Sequence, residues 1–67
     1  MHAMEKEILG ILRSSDISLT IEEVAERARI NRITASKYLA VLEAKRAVAK
    51  REVGRAKLYY PQGARRR

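Results

Sequence analysis

Two helix start signals, separated by a three-residue break, most tightly restrict how this chain can fold. Thr20 is followed three residues later by Glu23, the spacing of a capping box, which predicts a helix over residues 21–28. The break that follows ends at Asn31, a favoured N-cap, and predicts another helix over residues 32–45. A helix of about eight residues, a three-residue turn and a second helix form the pattern of a helix-turn-helix.

The segments on either side complete a small domain. Apolar residues recur at three- and four-residue steps over residues 3–14, which predicts an amphipathic first helix. We attribute Gly10 within it to close helix packing. Short β-prone runs on either side of a four-residue connection, Val53–Ala56, predict a β-hairpin over residues 47–60. Pro61, which cannot donate to a ladder, ends the hairpin. The fold class is mainly α with a small β-hairpin (α+β).

The distribution of charge indicates a polyanionic partner. Residues 1–28 carry three basic and six acidic side chains, a net −3, whereas residues 29–67 carry twelve basic and two acidic ones, a net +10. Such asymmetry favours a nucleic acid as the partner of the second half. The simpler alternative is a solvated surface of lysine and arginine.

Length and composition set further limits. With 67 residues, we expect one domain over residues 1–62 and a basic disordered tail over residues 63–67, which lack apolar anchors. The chain has no cysteine, as suits a cytoplasmic protein, so neither disulfides nor thiolate metal sites stabilise it. It has no apolar run of the roughly 20 residues that span a membrane, so we expect no membrane association.

In this order of elements the chain resembles the winged helix-turn-helix regulators of the ArsR and MarR type. No single motif is specific, but the ordered set covers about residues 5 to 60. The stretches that carry the resemblance are Leu19–Ala25, Asn31–Leu39, Leu42-Glu43, Ala47-Val48, Val53–Arg55 and Tyr59-Tyr60.

This resemblance implies a three-helix winged fold that binds double-stranded DNA. The third helix would enter the major groove, and the hairpin, or wing, would touch the flanking backbone or the minor groove. The chain departs from the pattern at Arg46, where such regulators usually have a glycine, and a left-handed backbone there would cost about 1–2 kcal/mol. Such regulators also usually dimerise through additional helices, so we expect either a homodimer or a part of a longer chain that supplies dimerisation.

The candidate DNA-binding residues lie in the third helix and the wing. They are Asn31, Arg32, Ile33, Thr34, Ser36, Lys37, Lys50, Arg51, Arg55 and Lys57. At 100° per residue, Ile33, Ser36, Lys37 and Ala40 lie opposite the face that carries Ala35, Leu39 and Leu42. Lys37 can donate to guanine, Ser36 suits several bases, and Ile33 and Ala40 can pack on a thymine methyl group.

The remaining candidates suit the DNA backbone. Arg32, in the first turn of the third helix, can reach a base edge or a phosphate, and Thr34 is better placed for the backbone. That turn has no acidic residue, which leaves its N–H groups open to a phosphate. The basic wing residues suit phosphates or a narrow minor groove. Alternatively, a charged edge strand only prevents aggregation. Alternation along the second strand places one of Tyr59 and Tyr60 in the core.

Other functions are less well supported. We expect no enzymatic activity, cofactor or metal, because no nucleophile has a base partner and no glycine-rich phosphate loop or metal-ligand cluster occurs. A protein–protein module remains an alternative, but it would favour an apolar or aromatic exposed face on the third helix. An architectural nucleic-acid binder is the other alternative.

Overall fold

Three helices and a two-stranded hairpin make up the described part of the chain. The computed structural model describes residues 3–62, so the predicted basic tail lies outside the described residues. The elements in chain order are α1 (Ala3–Ser14), α2 (Ile21–Ala28), α3 (Arg32–Ala44), β1 (Val48–Val53) and β2 (Ala56–Pro61). The predicted three-helix winged fold is therefore confirmed, and each helix boundary lies within one residue of its prediction.

Helix α1 packs through the apolar stripe that the sequence predicts. Ile8, Leu9 and Leu12 are buried, whereas Gly10 is exposed. A methyl group at Gly10 would meet no heavy atom of another part of the fold within 4 Å, so the predicted close packing there is wrong. Gly10 is two residues, about 200° around the helix axis, from both Ile8 and Leu12, which places it on the solvent side.

The predicted capping box of α2 is present. The Thr20 Oγ1 accepts a hydrogen bond from the Glu23 backbone N–H (3.2 Å), and the Glu23 Oε1 accepts one from the Thr20 N–H (2.9 Å). At the other end, Arg29 has a left-handed backbone with φ 61°, and the Ile30 N–H donates to the carbonyl of Ala25 (3.0 Å). Together with the bond from the Arg29 N–H to the Glu26 carbonyl (3.3 Å), this bond forms a Schellman motif. The motif ends α2 sharply, despite the steric cost of a left-handed backbone at an arginine.

Helix α3 begins at once after this turn. The side-chain Oδ1 of Asn31 accepts a hydrogen bond from the Thr34 N–H (2.7 Å), which is the predicted N-cap. The predicted core face is also confirmed, because Ala35, Leu39 and Leu42 are buried, and Tyr38 packs at the edge of the core.

The C-terminal end of α3 is fixed to α1 by an ion pair. The Lys45 Nζ lies 2.8 Å from the Glu5 Oε1. Glu5 is a buried carboxylate in a helix that otherwise buries apolar side chains. A buried charge needs a partner, and Lys45 supplies it.

The hairpin has a tighter turn than the predicted connection of four residues. β1 and β2 pair antiparallel, from Val48 opposite Pro61 to Val53 opposite Ala56, so only Gly54 and Arg55 form the turn. Gly54 supplies a positive φ of 61°, which a two-residue hairpin turn requires.

A short bridge joins the hairpin to the helices. The Leu19 N–H donates to the Tyr59 carbonyl (3.0 Å), and the Tyr59 N–H donates to the Leu19 carbonyl (2.7 Å). Both side chains are buried in the common core. Leu19 therefore adds a third, one-residue strand to the hairpin.

The end of α3 has a left-handed backbone at Arg46, the position at which the regulators that the chain resembles usually have a glycine. Arg46 has φ 63°, its N–H donates to the Glu43 carbonyl (3.0 Å), and the next N–H, of Ala47, donates to the Leu42 carbonyl (2.9 Å). This is a second Schellman motif, with an arginine at the position that favours glycine.

We expect Arg46→Gly to stabilise the domain by about 0.5–1 kcal/mol, because glycine adopts this φ without steric cost. Arg46→Ala is the matched control, since it removes the same side chain and charge but keeps the strain. Thermal and urea unfolding of both variants measure the difference. If Arg46→Ala is as stable as Arg46→Gly, backbone strain at this position does not contribute.

Candidate nucleic-acid interface

The exposed face of α3 has the composition that the sequence predicts. Ile33, Ser36, Lys37 and Ala40 are exposed, and so is Arg32. The first turn of α3 contains no acidic residue. Because the N-terminal end of a helix carries partial positive charge, this end and its basic side chains favour an anion.

Two of the predicted site residues have structural roles in α3. The Asn31 side chain is the N-cap, and the Thr34 N–H is its hydrogen-bond donor. Thr34 is half-buried, whereas Asn31 is exposed. Both residues lie at the start of α3, where a phosphate would approach, but their first effect is to fix where the helix begins.

One wing residue joins α3 in a shared groove. This groove is lined by Ile21, Arg32, Ile33, Ser36, Lys37 and Lys57. Five of the six lining residues were predicted as DNA-binding residues, four from α3 and Lys57 from β2. The groove combines three cationic side chains, one hydroxyl group and two isoleucines.

An acidic residue that the sequence did not assign to the site contacts it. The Glu22 Oε2 lies 3.2 Å from the Arg32 Nε, and both side chains are largely exposed. Glu22 lies in the first turn of α2, where the favourable interaction of an acidic side chain with the helix dipole is enough to explain a glutamate. Its contact with Arg32 becomes visible only when α2 is packed against α3. The ion pair fixes the direction of Arg32 and partly neutralises its charge.

The register of the hairpin divides the basic wing residues between two faces. Residues paired in an antiparallel hairpin share a face, and successive residues alternate. Lys50 pairs with the buried Tyr59, and Lys57 pairs with Glu52, so these side chains lie on the face that packs against the helices. Glu52 therefore adds an acid beside the predicted wing cations.

Arg51 lies on the opposite face. It pairs with Leu58 and lines a second groove together with Arg13, Ile17 and Tyr60. Arg55 occupies the hairpin turn and is exposed. The structure thus brings Lys57 to α3, leaves Lys50 on the same face of the wing, and separates Arg51 from both.

Tyr59 is the aromatic residue that alternation places inside, whereas Tyr60 is 38% exposed. Burial raises the pKa of Tyr59, the Lys50 ammonium lowers it, and Glu43 and Glu52 raise it further. The fold therefore favours the neutral phenol, and Lys50 lies near enough to oppose that effect.

Two further properties of residues 3–62 concern other functions. No helix in this part of the chain is long and apolar enough to cross a membrane. The same residues contain no group of three histidine, aspartate or glutamate side chains that could hold a metal ion.

Comparison with known proteins gives matches in structure rather than in sequence. No protein-family model and no curated protein matches the chain. MepR of Staphylococcus aureus, a transcription regulator of the multidrug efflux pump MepA, superposes with a TM-score of 0.86 and 22% identity. That match covers 96% of this chain and 49% of MepR, so the chain spans about half the length of that protein.

Two other solved structures share this fold. The homodimeric winged helix-turn-helix DNA-binding domain Mb0332 of Mycobacterium bovis, a possible ArsR-family transcriptional regulator, has a TM-score of 0.83 and 26% identity, covering 92% of this chain and 56% of that fragment. Human N-acetylserotonin methyltransferase matches with a TM-score of 0.81 and 16% identity, over 91% of this chain but 18% of the enzyme.

The agreement extends from α1 to the end of the hairpin, because these matches cover nine-tenths or more of this chain. The chain has the winged helix-turn-helix fold of the DNA-binding domains of MarR- and ArsR-type transcription regulators.

Proposed function

We propose that this domain binds double-stranded DNA in a sequence-specific manner, as a transcription regulator or as the DNA-binding part of one. Helix α3 would lie in the major groove and the wing on the flanking backbone or minor groove. The observation that carries the proposal is the shared groove, in which Arg32, Ser36 and Lys37 of α3 meet Lys57 of the wing. Neighbouring cations repel one another, and a polyanion is the partner that relieves this repulsion.

The side chains divide into base readers and phosphate contacts. Ser36 and Lys37 project from the middle of the exposed face of α3, where base edges would lie. Lys50, Arg55 and Lys57 belong to the wing and suit phosphates, which position the protein without specifying sequence. Arg51 faces the other groove, so we assign it a smaller part than the sequence indicates.

A structural neighbour supports the proposal of DNA binding. A variant of MepR with a TM-score of 0.89 to this chain is bound to an oligodeoxyribonucleotide. In this chain α3 and the wing together form a basic groove, and we therefore propose that this groove engages DNA. A protein–protein module is less well supported, because three cations surround the apolar part of the groove.

Assembly would set the length of the target site. Mb0332 is homodimeric, and we propose that two copies of this domain act together, either as a homodimer or through further segments of a longer chain. Two domains related by a twofold axis would read half-sites about 34–36 Å apart, one turn of the duplex.

We place this activity in the cytoplasm and assign it no enzymatic step.

Binding to duplex DNA should weaken steeply with salt. If each domain neutralises about five or six phosphates, log K falls with a slope of about −4.5 to −5.4 against log salt concentration. Fluorescence anisotropy with a labelled random-sequence duplex measures this slope. An affinity that is insensitive to salt, or no binding at low salt, would contradict the proposed function.

The roles of helix and wing can be separated with two variants. Lys37→Ala should lose about 1–3 kcal/mol of discrimination at one base pair, because its side chain points to base edges. Arg55→Ala should weaken all duplexes nearly equally and lower the salt slope by about one.

Arg13→Ala is the charge-matched control for this pair, because Arg13 lies in α1 and lines the other groove. Affinities for one selected and one random duplex at two salt concentrations distinguish the roles. Should Lys37→Ala weaken both duplexes alike while Arg55→Ala relaxes specificity, the roles of α3 and the wing are reversed.

Removing the Glu22 carboxylate should strengthen DNA binding. Arg32 has to exchange Glu22 for a phosphate or a base when DNA binds, and Glu22 itself repels the backbone. Because exposed ion pairs contribute about 0.2–1 kcal/mol, Glu22→Gln should tighten binding to any duplex by a factor of about 1.4 to 5 at low salt.

Glu26→Gln provides the control for this variant. Glu26 is an exposed glutamate of the same helix, and Arg32 pairs with Glu22 instead. Equal tightening by both variants would show that only net charge matters and that the ion pair with Arg32 does not.

A further inference from the structure

Ile33 is an apolar side chain that the fold does not use. It is 82% exposed, at the second position of α3. Helix α3 is anchored in the core by Ala35, Leu39 and Leu42 on its other face. A β-branched residue is also a poorer helix former than alanine. Neither packing nor helix propensity therefore explains an isoleucine at this place.

The residues around Ile33 limit the chemical classes of ligand that could cover its side chain. Ile33 shares its groove with Ile21 and with the polar or cationic Arg32, Ser36, Lys37 and Lys57. The centres of protein–protein interfaces are depleted of charge, so this patch suits them poorly. A polyanion with a small apolar group on its surface fits both parts of the groove.

The major groove of DNA offers one such group. Among the base edges it presents hydrogen-bond donors and acceptors and a single apolar feature, the C5-methyl group of thymine. We propose that Ile33, in the apolar part of the groove that it shares with Ile21, reads the C5-methyl group of a pyrimidine and is a specificity-determining residue of this domain. The inference rests on the proposed function. The sequence offers both Ile33 and Ala40 for contact with such a methyl group, and the inference selects Ile33 because it lines the groove, whereas Ala40 does not.

The same methyl group has two sources in DNA. Thymine carries it in unmodified DNA, and 5-methylcytosine carries it at the equivalent position. Removing one methyl group from an apolar contact weakens binding about fourfold. The affinity that Ile33 contributes should depend on the methyl group and little on salt, whereas contacts of Arg55 or Lys57 with phosphates should weaken as the salt concentration rises.

The test begins with a duplex selected by the intact chain from a random-sequence pool. Each thymine of that duplex is replaced singly by deoxyuridine, which removes only the methyl group, and the affinity of each duplex is measured. Ile33→Ser is compared with Ile17→Ser. Ile17 is the same residue type, is 68% exposed, and lines the other groove, between α1 and the hairpin.

We expect one or two positions at which the unchanged chain and Ile17→Ser lose about fourfold with deoxyuridine, while Ile33→Ser loses almost nothing. At that position, a duplex with 5-methylcytosine should bind about fourfold better than one with cytosine, and this difference too should vanish in Ile33→Ser. Thermal unfolding of Ile33→Ser should match that of the unchanged chain, because the side chain is exposed.

Three outcomes would overturn the inference. If the chain binds a selected duplex but no deoxyuridine substitution weakens it, Ile33 does not read a methyl group, although the DNA-binding function stands. If Ile33→Ser keeps the full sensitivity to deoxyuridine, another residue reads the methyl group. If the chain binds no duplex at low salt, the proposed function fails, and this inference fails with it.

Discussion

Two hydrogen bonds between Leu19 and Tyr59 fix the hairpin to the start of the helix-turn-helix, and the position of the wing depends on them. They join the residue before the N-cap of α2 to the middle of β2, at 3.0 and 2.7 Å, within the buried core. Thr20 then starts α2, and a short turn closed by a Schellman motif leads directly into α3. The position of the wing relative to α3 therefore follows from this bridge together with the short connection at Arg46, closed by a second Schellman motif, that leads from α3 into β1.

This arrangement places like charges close together at one surface. Arg32, Lys37 and Lys57 line one groove, and their mutual repulsion opposes folding. Glu22 offsets part of that repulsion through its contact with Arg32. The core that sustains the arrangement is small, but its largest side chains, among them Leu19, Leu39 and Val48, are completely buried. The stabilising core thus lies on one side of α3, and the surface that we propose for DNA binding lies on the other.

Local signals allowed most of the fold to be predicted from the sequence. The capping box at Thr20 and Glu23, the N-cap at Asn31 and the turn glycine Gly54 act through atoms a few residues apart, so their geometry follows from spacing. The predicted close packing at Gly10 is wrong, because the presence of a glycine in an amphipathic helix does not by itself indicate its structural cause. Its angular distance from Ile8 and Leu12 would have placed it on the exposed face.

The site could be predicted in part. Its α3 residues follow from helical periodicity, which assigns Ile33, Ser36 and Lys37 to the exposed face. Separating Lys57 from Arg51 requires the hairpin register, and a shift by one residue would exchange their faces. The contact of Glu22 with Arg32 depends on how α2 packs against α3, and no spacing in the sequence encodes it.

We propose that one surface, formed by the start of α3 and the helix-facing side of the wing, binds duplex DNA. Two-dimensional amide NMR spectra of the chain, titrated with a short random-sequence duplex, test it residue by residue. We expect the largest shifts at Arg32, Ile33, Ser36, Lys37 and Lys57, and small shifts at Ile17, Arg51 and Tyr60, which line the other groove. Shifts concentrated at that other groove, with α3 unaffected, would contradict the claim.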